Sequence, residues 1–238
     1  MKKIHIGFIP DGNRRWCKKN NLPLNQMAEK WMDVVNKNID ENLPLIFNKD
    51  FDKNFDKNFE DIREISLYIA SIENMSRDDG TIETIYEFIR KLESKYLEIM
   101  KKLEKDKKDK IKEYINRICV NIIGEIDLLP KDIKEICSKL STKRNINPEF
   151  TINLAFAYDA KKDILNFANK DNKNYNRIQS DIDLVIRTGS ERRLSGFFPI
   201  QTLYSELFFI RCFWPEFTLN HLEKIIKKFK ERNRRFGK

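Results

Sequence analysis

Asp11 stands just past an apolar run: Ile4-His5-Ile6-Gly7-Phe8-Ile9-Pro10, then Asp11-Gly12-Asn13-Arg14-Arg15-Trp16. A second apolar run, Asp183-Leu184-Val185-Ile186, opens into Arg187-Thr188-Gly189-Ser190-Glu191-Arg192-Arg193-Leu194-Ser195, and a lone acid, Glu206, follows. A carboxylate at one strand end, guanidiniums at another and a further carboxylate beyond them suit a substrate carrying a metal-bound diphosphate. Carboxylate and phosphate oxygens are ligands for Mg²⁺. The planar guanidinium fork matches phosphate oxygens. Gly12 lets the backbone approach a phosphate, and a helix starting after it would favour an anion there. In open α/β sheets, ligands collect at the carboxyl ends of the strands.

Such residues need strands to hold them. Ile4 to Ile9 predicts a buried strand, broken by Gly12 and Asn13, with a helix from near Arg14. Leu24 to Val35 has helical spacing through Met27, Trp31, Val34 and Val35. Glu64 to Ala70, Arg117 to Ile123, Phe150 to Ala157 and Ile182 to Arg187 predict further strands, and a sixth lies within Leu207 to Cys212. Between them, Asp78 or Asp79 caps a long helix with Ile82, Ile85, Phe88, Ile89, Leu92, Tyr96, Met100 and Leu103 on one face. Pro130 opens a helix to about Leu140, another ends near Ala168, and Leu219 to Arg232 closes the chain. Strands alternating with helices predict an α/β fold: one domain over residues 1–238, with a central six-stranded, mostly parallel sheet flanked by about seven helices. The segment 47–60 is an insertion biased towards Phe, Asp, Lys and Asn. Its period of four would set Phe47, Phe51, Phe55 and Phe59 on one stripe, as a surface extension or a lid.

Composition narrows the classes. With 238 residues and 40% hydrophobic content the chain can bury a full core. The 46 basic against 37 acidic residues give +9, which reads either as an anionic partner or as a lysine-rich solvated surface. No nucleic-acid motif accompanies the charge, so no nucleic-acid partner is expected. Cys17, Cys119, Cys137 and Cys212 form no CxxC pair and only two histidines are present, which speaks against zinc and against a disulfide framework. Asp11 would interrupt any signal-peptide core, and no run reaches transmembrane length. The expected location is cytoplasmic, with at most weak membrane association.

Together these motifs resemble the cis-prenyltransferase family. The middle segment Tyr68-Ile69-Ala70-Ser71-Ile72-Glu73-Asn74-Met75-Ser76-Arg77 and the tail Arg232-Asn233-Arg234-Arg235-Phe236-Gly237 extend the resemblance over nearly the whole chain. It implies a Mg²⁺-dependent prenyltransferase that condenses isopentenyl diphosphate with an allylic diphosphate, giving a Z-configured isoprenoid diphosphate. Asp11 and Glu206 would hold the metal. Asp11, Asn13, Ser71 and Asn74 would serve catalysis. Gly12, Asn13, Arg14, Arg15 and Arg77 would take the allylic diphosphate. Arg187, Arg193, Ser195, Arg235 and Gly237 would take isopentenyl diphosphate, the tail completing the site in a homodimer.

The chain departs from the common bacterial pattern around the allylic substrate. Pro10 replaces Met and Arg14 replaces Gly, while the usual Arg and His fall on Leu24 and Ala28. The usual Trp is Met75, and the chain reads Gly196-Phe197-Phe198-Pro199 after Ser195. Such changes look like those of a short-chain or lavandulyl diphosphate synthase-like branch. A short product is therefore expected, with head-to-middle coupling of dimethylallyl diphosphate as the alternative. A non-catalytic subunit of a heteromeric enzyme fits less well, because Asp11, Arg187, Arg193 and Glu206 are all kept.

Overall fold

The computed structural model describes residues 3–46, 62–105, 118–141, 148–168 and 178–232. The biased segment 47–60 lies outside the described residues, as do Arg235 and Gly237. Six strands are present: β1 (Ile4–Ile9), β2 (Ile62–Tyr68), β3 (Ile118–Ile123), β4 (Phe150–Ala155), β5 (Leu184–Arg187) and β6 (Glu206–Phe209). Seven α-helices fall among the described residues: α1 (Asn13–Lys19), α2 (Met27–Ile46), α3 (Ile72–Met75), α4 (Thr81–Lys105), α5 (Lys131–Leu140), α6 (Ala160–Ala168) and α7 (Leu219–Glu231).

The strands form one sheet in the order β3-β4-β2-β1-β5-β6, and every neighbouring pair is parallel. The α/β, six-stranded expectation holds. Strands β1 and β5 are buried at every position, as strands covered on both faces must be. On one face Ile4, Ile6 and Phe8 pack with Leu222, Ile225 and Phe229 of α7. On the other, Ile9, Val185 and Ala155 pack with Tyr158, Phe197 and Phe198. A third cluster joins Ile82 and Ile85 of α4 and Ile133 and Ile136 of α5 with Ala70, Ile122 and Phe156. Gly7 is required by this packing: a Cβ there would lie 2.6 Å from the Phe197 ring.

Some boundaries shift from the sequence reading, for local reasons. Strand β2 ends at Tyr68 rather than Ala70, because the Ile69 and Ala70 amides both donate to the Ala155 carbonyl and the ladder closes. Strand β4 ends at Ala155, and Ala157 has a φ of 48°, outside any strand. The apolar stripe of α4 is core only in its first part: Ile82 and Ile85 are buried, whereas Tyr96 is exposed.

The amino half of the sheet buries polar groups, and they are paired. His5 is fully buried, with Nε2 2.7 Å from Ser66 Oγ and Nδ1 3.2 Å from the Asp181 carbonyl. Burial lowers the imidazole pKa despite the opposing pull of Glu64. Arg63 pairs here with Glu64 and lies 3.8 Å from Asp183.

Candidate active site

Strands β1 and β5 are neighbours, with Ile9 opposite Arg187. Asp11, two residues beyond Ile9, therefore arrives at the carboxyl edge beside the end of β5. Arg187 Nη2 donates to Asp11 Oδ2 at 2.7 Å. Arg187 Nη1 donates to Ser195 Oγ at 2.9 Å and to the Arg193 carbonyl. The Arg187 side chain is 5% exposed, and its buried Nε has no partner. A guanidinium so deeply placed needs acceptors on every face, and its Nε donor has none.

Asp11 Oδ1 accepts the Gly12 amide at 2.6 Å and Arg15 Nη2 at 3.2 Å. Burial pushes the Asp11 pKa up. The hydrogen bond and charge of Arg187, the Gly12 amide and Arg15 outweigh it and hold the carboxyl below its ordinary range. Asp11 is an anion at neutral pH. Asn13 opens α1, its Nδ2 donating to the Pro10 carbonyl at 3.0 Å, while its Oδ1 is buried without a partner. Two buried polar atoms are thus without partners: one on the guanidinium that binds Asp11, the other on the residue two places after Asp11. Gly12 has a φ of 98°, and a Cβ there would lie 2.5 Å from the Phe213 ring. Arg15 also pairs with Glu191 at 3.2 Å and lies 5.8 Å over the Phe213 ring.

Ser71 and Asn74 form a reciprocal cap on α3, Asn74 N donating to Ser71 Oγ and Ser71 N to Asn74 Oδ1. Tyr68, at the end of β2, donates its hydroxyl to the Ser195 carbonyl at 3.1 Å, tying that strand end to the loop around Arg187. Burial raises the Tyr68 pKa to about 12. Arg14, Arg77 and Arg193 lie exposed on the rim. Arg14 pairs with Asp79 at 2.5 Å and Arg193 with Glu191 at 2.5 Å.

Glu206 stands apart. It begins β6 opposite Leu184, three residues short of the Arg187 position, or about 10 Å lower along the strand. Its carboxylate pairs with Arg232. Within one chain Glu206 therefore lies away from Asp11, at the start of β6. The strand begins one residue earlier than its apolar run suggested, so Glu206 enters at the amino edge of the sheet.

Sequence reasoning gave no role to Thr188, Tyr68 or Glu191, and read Asp79 only as a candidate helix cap. Thr188 is the first residue past a strand end that already carries an arginine, which was a usable signal. The acids are visible only as partners of Arg14, Arg15 and Arg193.

Mg²⁺ fits this edge. No group of three His, Cys, Asp or Glu side chains gathers among the described residues, as a cage for a softer or fully protein-bound ion would need. Mg²⁺ is commonly held by one or two carboxylates with phosphate and water oxygens. Asp11 and the unused Asn13 Oδ1 supply such oxygens.

The fold and this edge define an open parallel α/β protein with an anion-receptive site at its carboxyl side. The chain belongs to the cis-prenyltransferase family: the family model described as "Putative undecaprenyl diphosphate synthase" matches residues 57–237. It is a prenyl transferase. An isoprenyl transferase of Clostridium tetani is 28% identical over 98% of this chain and 88% of its own length. A tritrans,polycis-undecaprenyl-diphosphate synthase (geranylgeranyl-diphosphate specific) of Pyrococcus horikoshii is 31% identical over 98% and 86%. The crystal structure of a probable undecaprenyl diphosphate synthase from Campylobacter jejuni covers all of both chains at 25% identity and a TM-score of 0.65. Lavandulyl diphosphate synthase from Lavandula x intermedia, solved with dimethylallyl diphosphate, shares the fold: TM-score 0.69, 20% identity, 98% of each chain.

Proposed function

We propose that this chain is a Mg²⁺-dependent prenyltransferase that joins isopentenyl diphosphate to an allylic diphosphate and releases a short, Z-configured isoprenoid diphosphate. The observation that carries the reading is the Asp11–Arg187 pair with its two unsatisfied neighbours, Arg187 Nε and Asn13 Oδ1. A diphosphate satisfies the first and a cation the second.

The reaction breaks the allylic C1–O bond, and the diphosphate leaves with the electron pair. The double bond of isopentenyl diphosphate supplies the new C–C bond, and a proton is then lost to the released diphosphate. Gly12, Asn13, Arg14, Arg15 and Arg77 serve the allylic diphosphate. Arg187, Arg193 and Ser195 serve isopentenyl diphosphate, with the Arg235–Gly237 tail as their expected complement. Ser71 and Asn74, fixed by their mutual cap, orient the reacting groups. Asp11, with Asn13 beside it, would hold Mg²⁺, which would supply charge neutralisation of the leaving diphosphate. Glu206, which begins β6 and pairs with Arg232 within one chain, is proposed as the second metal carboxylate of the assembled enzyme.

A short product is supported by the filled apolar layer between the sheet and α4. Phe156 is buried 6.2 Å from the Tyr86 ring, and Trp31 lies 5.3 Å from Phe88. A homodimer is supported by exposed apolar residues: Ile164 and Leu165 on α6, and Leu203 and Leu207 near the β6 edge. No helix among the described residues is long and apolar enough to cross a membrane, which accords with a cytoplasmic enzyme that touches membranes weakly at most.

A second reading is head-to-middle coupling of two dimethylallyl diphosphates. It is favoured by Leu24 and Ala28, apolar where the family carries cationic or donor side chains; Ala28 is fully buried. The test is diphosphate release from labelled allylic primer plus isopentenyl diphosphate, with Mg²⁺ and with EDTA. Release that requires both the metal and isopentenyl diphosphate supports the first reading. Release from dimethylallyl diphosphate alone supports the second, and none under any condition contradicts both.

A further inference from the structure

Thr188 is the first residue after β5 and is 1% exposed. Its hydroxyl does two things to one neighbour. It accepts the Asp11 amide at 2.9 Å and donates to the Asp11 carbonyl at 2.7 Å. Both bonds involve backbone, so they fix the peptide units on either side of Asp11 rather than its carboxylate. With those units fixed, the direction of the Asp11 Cα–Cβ bond is fixed too. The hydroxyl's one proton is used on the carbonyl, so its lone pair must serve the amide.

The surroundings make this contact hard to replace. The Asp11 amide otherwise has only the Ile9 carbonyl at 2.9 Å, a bond across two residues. The next residue, Gly189, has a φ of 83°, and a Cβ there would lie 3.0 Å from the Asp11 carbonyl carbon. The two loop backbones are therefore in contact, and Thr188 is the side chain that joins them. The Trp214 amide closes the far side, donating to the Asp11 carbonyl at 3.1 Å.

We infer that Thr188 is a positioning residue for the reaction: its hydroxyl aims the Asp11 carboxylate at the metal-diphosphate site. The inference rests on the proposed role of Asp11. Misplacing a reacting group by about 1 Å can cost about 10²-fold in rate. Losing the hydroxyl is thus expected to lower kcat by roughly 10- to 100-fold while the KM for isopentenyl diphosphate, held by other side chains, stays within about threefold.

The experiment compares Thr188→Val, which keeps the branched shape, with Thr188→Ser, which keeps the hydroxyl, and with Asp11→Ala. Each is assayed for kcat and KM, for thermal unfolding, and for Mn²⁺ binding in the presence of inorganic diphosphate by electron paramagnetic resonance. The expected result is a folded Thr188→Val protein with low kcat and weakened Mn²⁺ binding, and a Thr188→Ser protein close to the parent in both. The inference is overturned if Thr188→Val keeps parental kcat and Mn²⁺ binding while Asp11→Ala is inactive. It is equally overturned if Thr188→Ser fails as badly as Thr188→Val, since the methyl would then be what matters. An active Asp11→Ala protein would instead overturn the role of Asp11, and the inference with it.

Discussion

The Asp11 carboxylate and the Arg187 guanidinium, 176 residues apart in the chain, meet at 2.7 Å across the adjacent carboxyl ends of β1 and β5. Arg187 is the more buried of the two, and its Nε and the Oδ1 of nearby Asn13 are buried without partners. A ligand that brings phosphate oxygens to one and a cation to the other would complete both.

Arg187→Lys keeps the charge and loses the fork. A single ammonium cannot reach Asp11, Ser195 and the Arg193 carbonyl together. The expected outcome is a fall in kcat/KM of about 10²-fold or more, with a raised KM for isopentenyl diphosphate. Steady-state kinetics check it, and a near-parental value would remove Arg187 from the site.

The depressed pKa of Asp11 has a consequence for stability. A carboxyl held lower in the folded state than in the unfolded chain contributes stability fully above its unfolded pKa of about 3.9 and loses it as pH falls through the folded value. The melting-temperature gap between the parent and Asp11→Asn is therefore expected to be constant above about pH 5 and to narrow only below about pH 4. Calorimetry over that range checks it. Narrowing already near pH 6 would mean that the Arg187 contact is weaker than its geometry implies.

Phe156→Ala opens the apolar layer next to the site. Deleting a buried phenyl ring is expected to cost about 3–5 kcal/mol of stability. If the layer limits the product, the variant releases longer isoprenoid diphosphates. Chromatography of dephosphorylated products beside a denaturation curve checks both effects. A folded variant with unchanged product length would take Phe156 out of length control.

Helix α6 turns Asp163 inward, where it accepts the Tyr158 hydroxyl at 2.6 Å, and leaves Leu165 69% exposed. Leu165→Glu is expected to shift a dimer to monomer in sedimentation velocity, since a charge at the centre of an isologous contact meets its own copy. A parent that sediments as a monomer would contradict the dimer directly.

The ends of β1 and β5 were legible in the sequence because each largely apolar run leads into a residue able to do chemistry. Asp11 and Arg187 were both visible that way, but their contact was not. It depends on β1 and β5 being neighbours in an order that places β2, β4 and β3 on the other side. The position of Glu206 was not legible for a related reason: it is the first residue of β6, and sequence proximity to Leu207 does not say which end of a strand a residue occupies. Arg14 was legible as a cation and not as a rim residue, since its partner Asp79 comes from another loop, whereas Arg193 pairs with Glu191 two residues away in its own loop. Thr188 was overlooked because its role is exercised on backbone, which leaves no charge pattern to read.

The most direct measurement is mass spectrometry of the products formed with Mg²⁺ from isopentenyl diphosphate plus dimethylallyl, geranyl or farnesyl diphosphate, and from dimethylallyl diphosphate alone. The predicted result is growth by one isoprene unit per step, ending at a short chain, with no product from dimethylallyl diphosphate alone. A branched or cyclic ten-carbon product from dimethylallyl diphosphate alone, with no elongation of any primer, would contradict it.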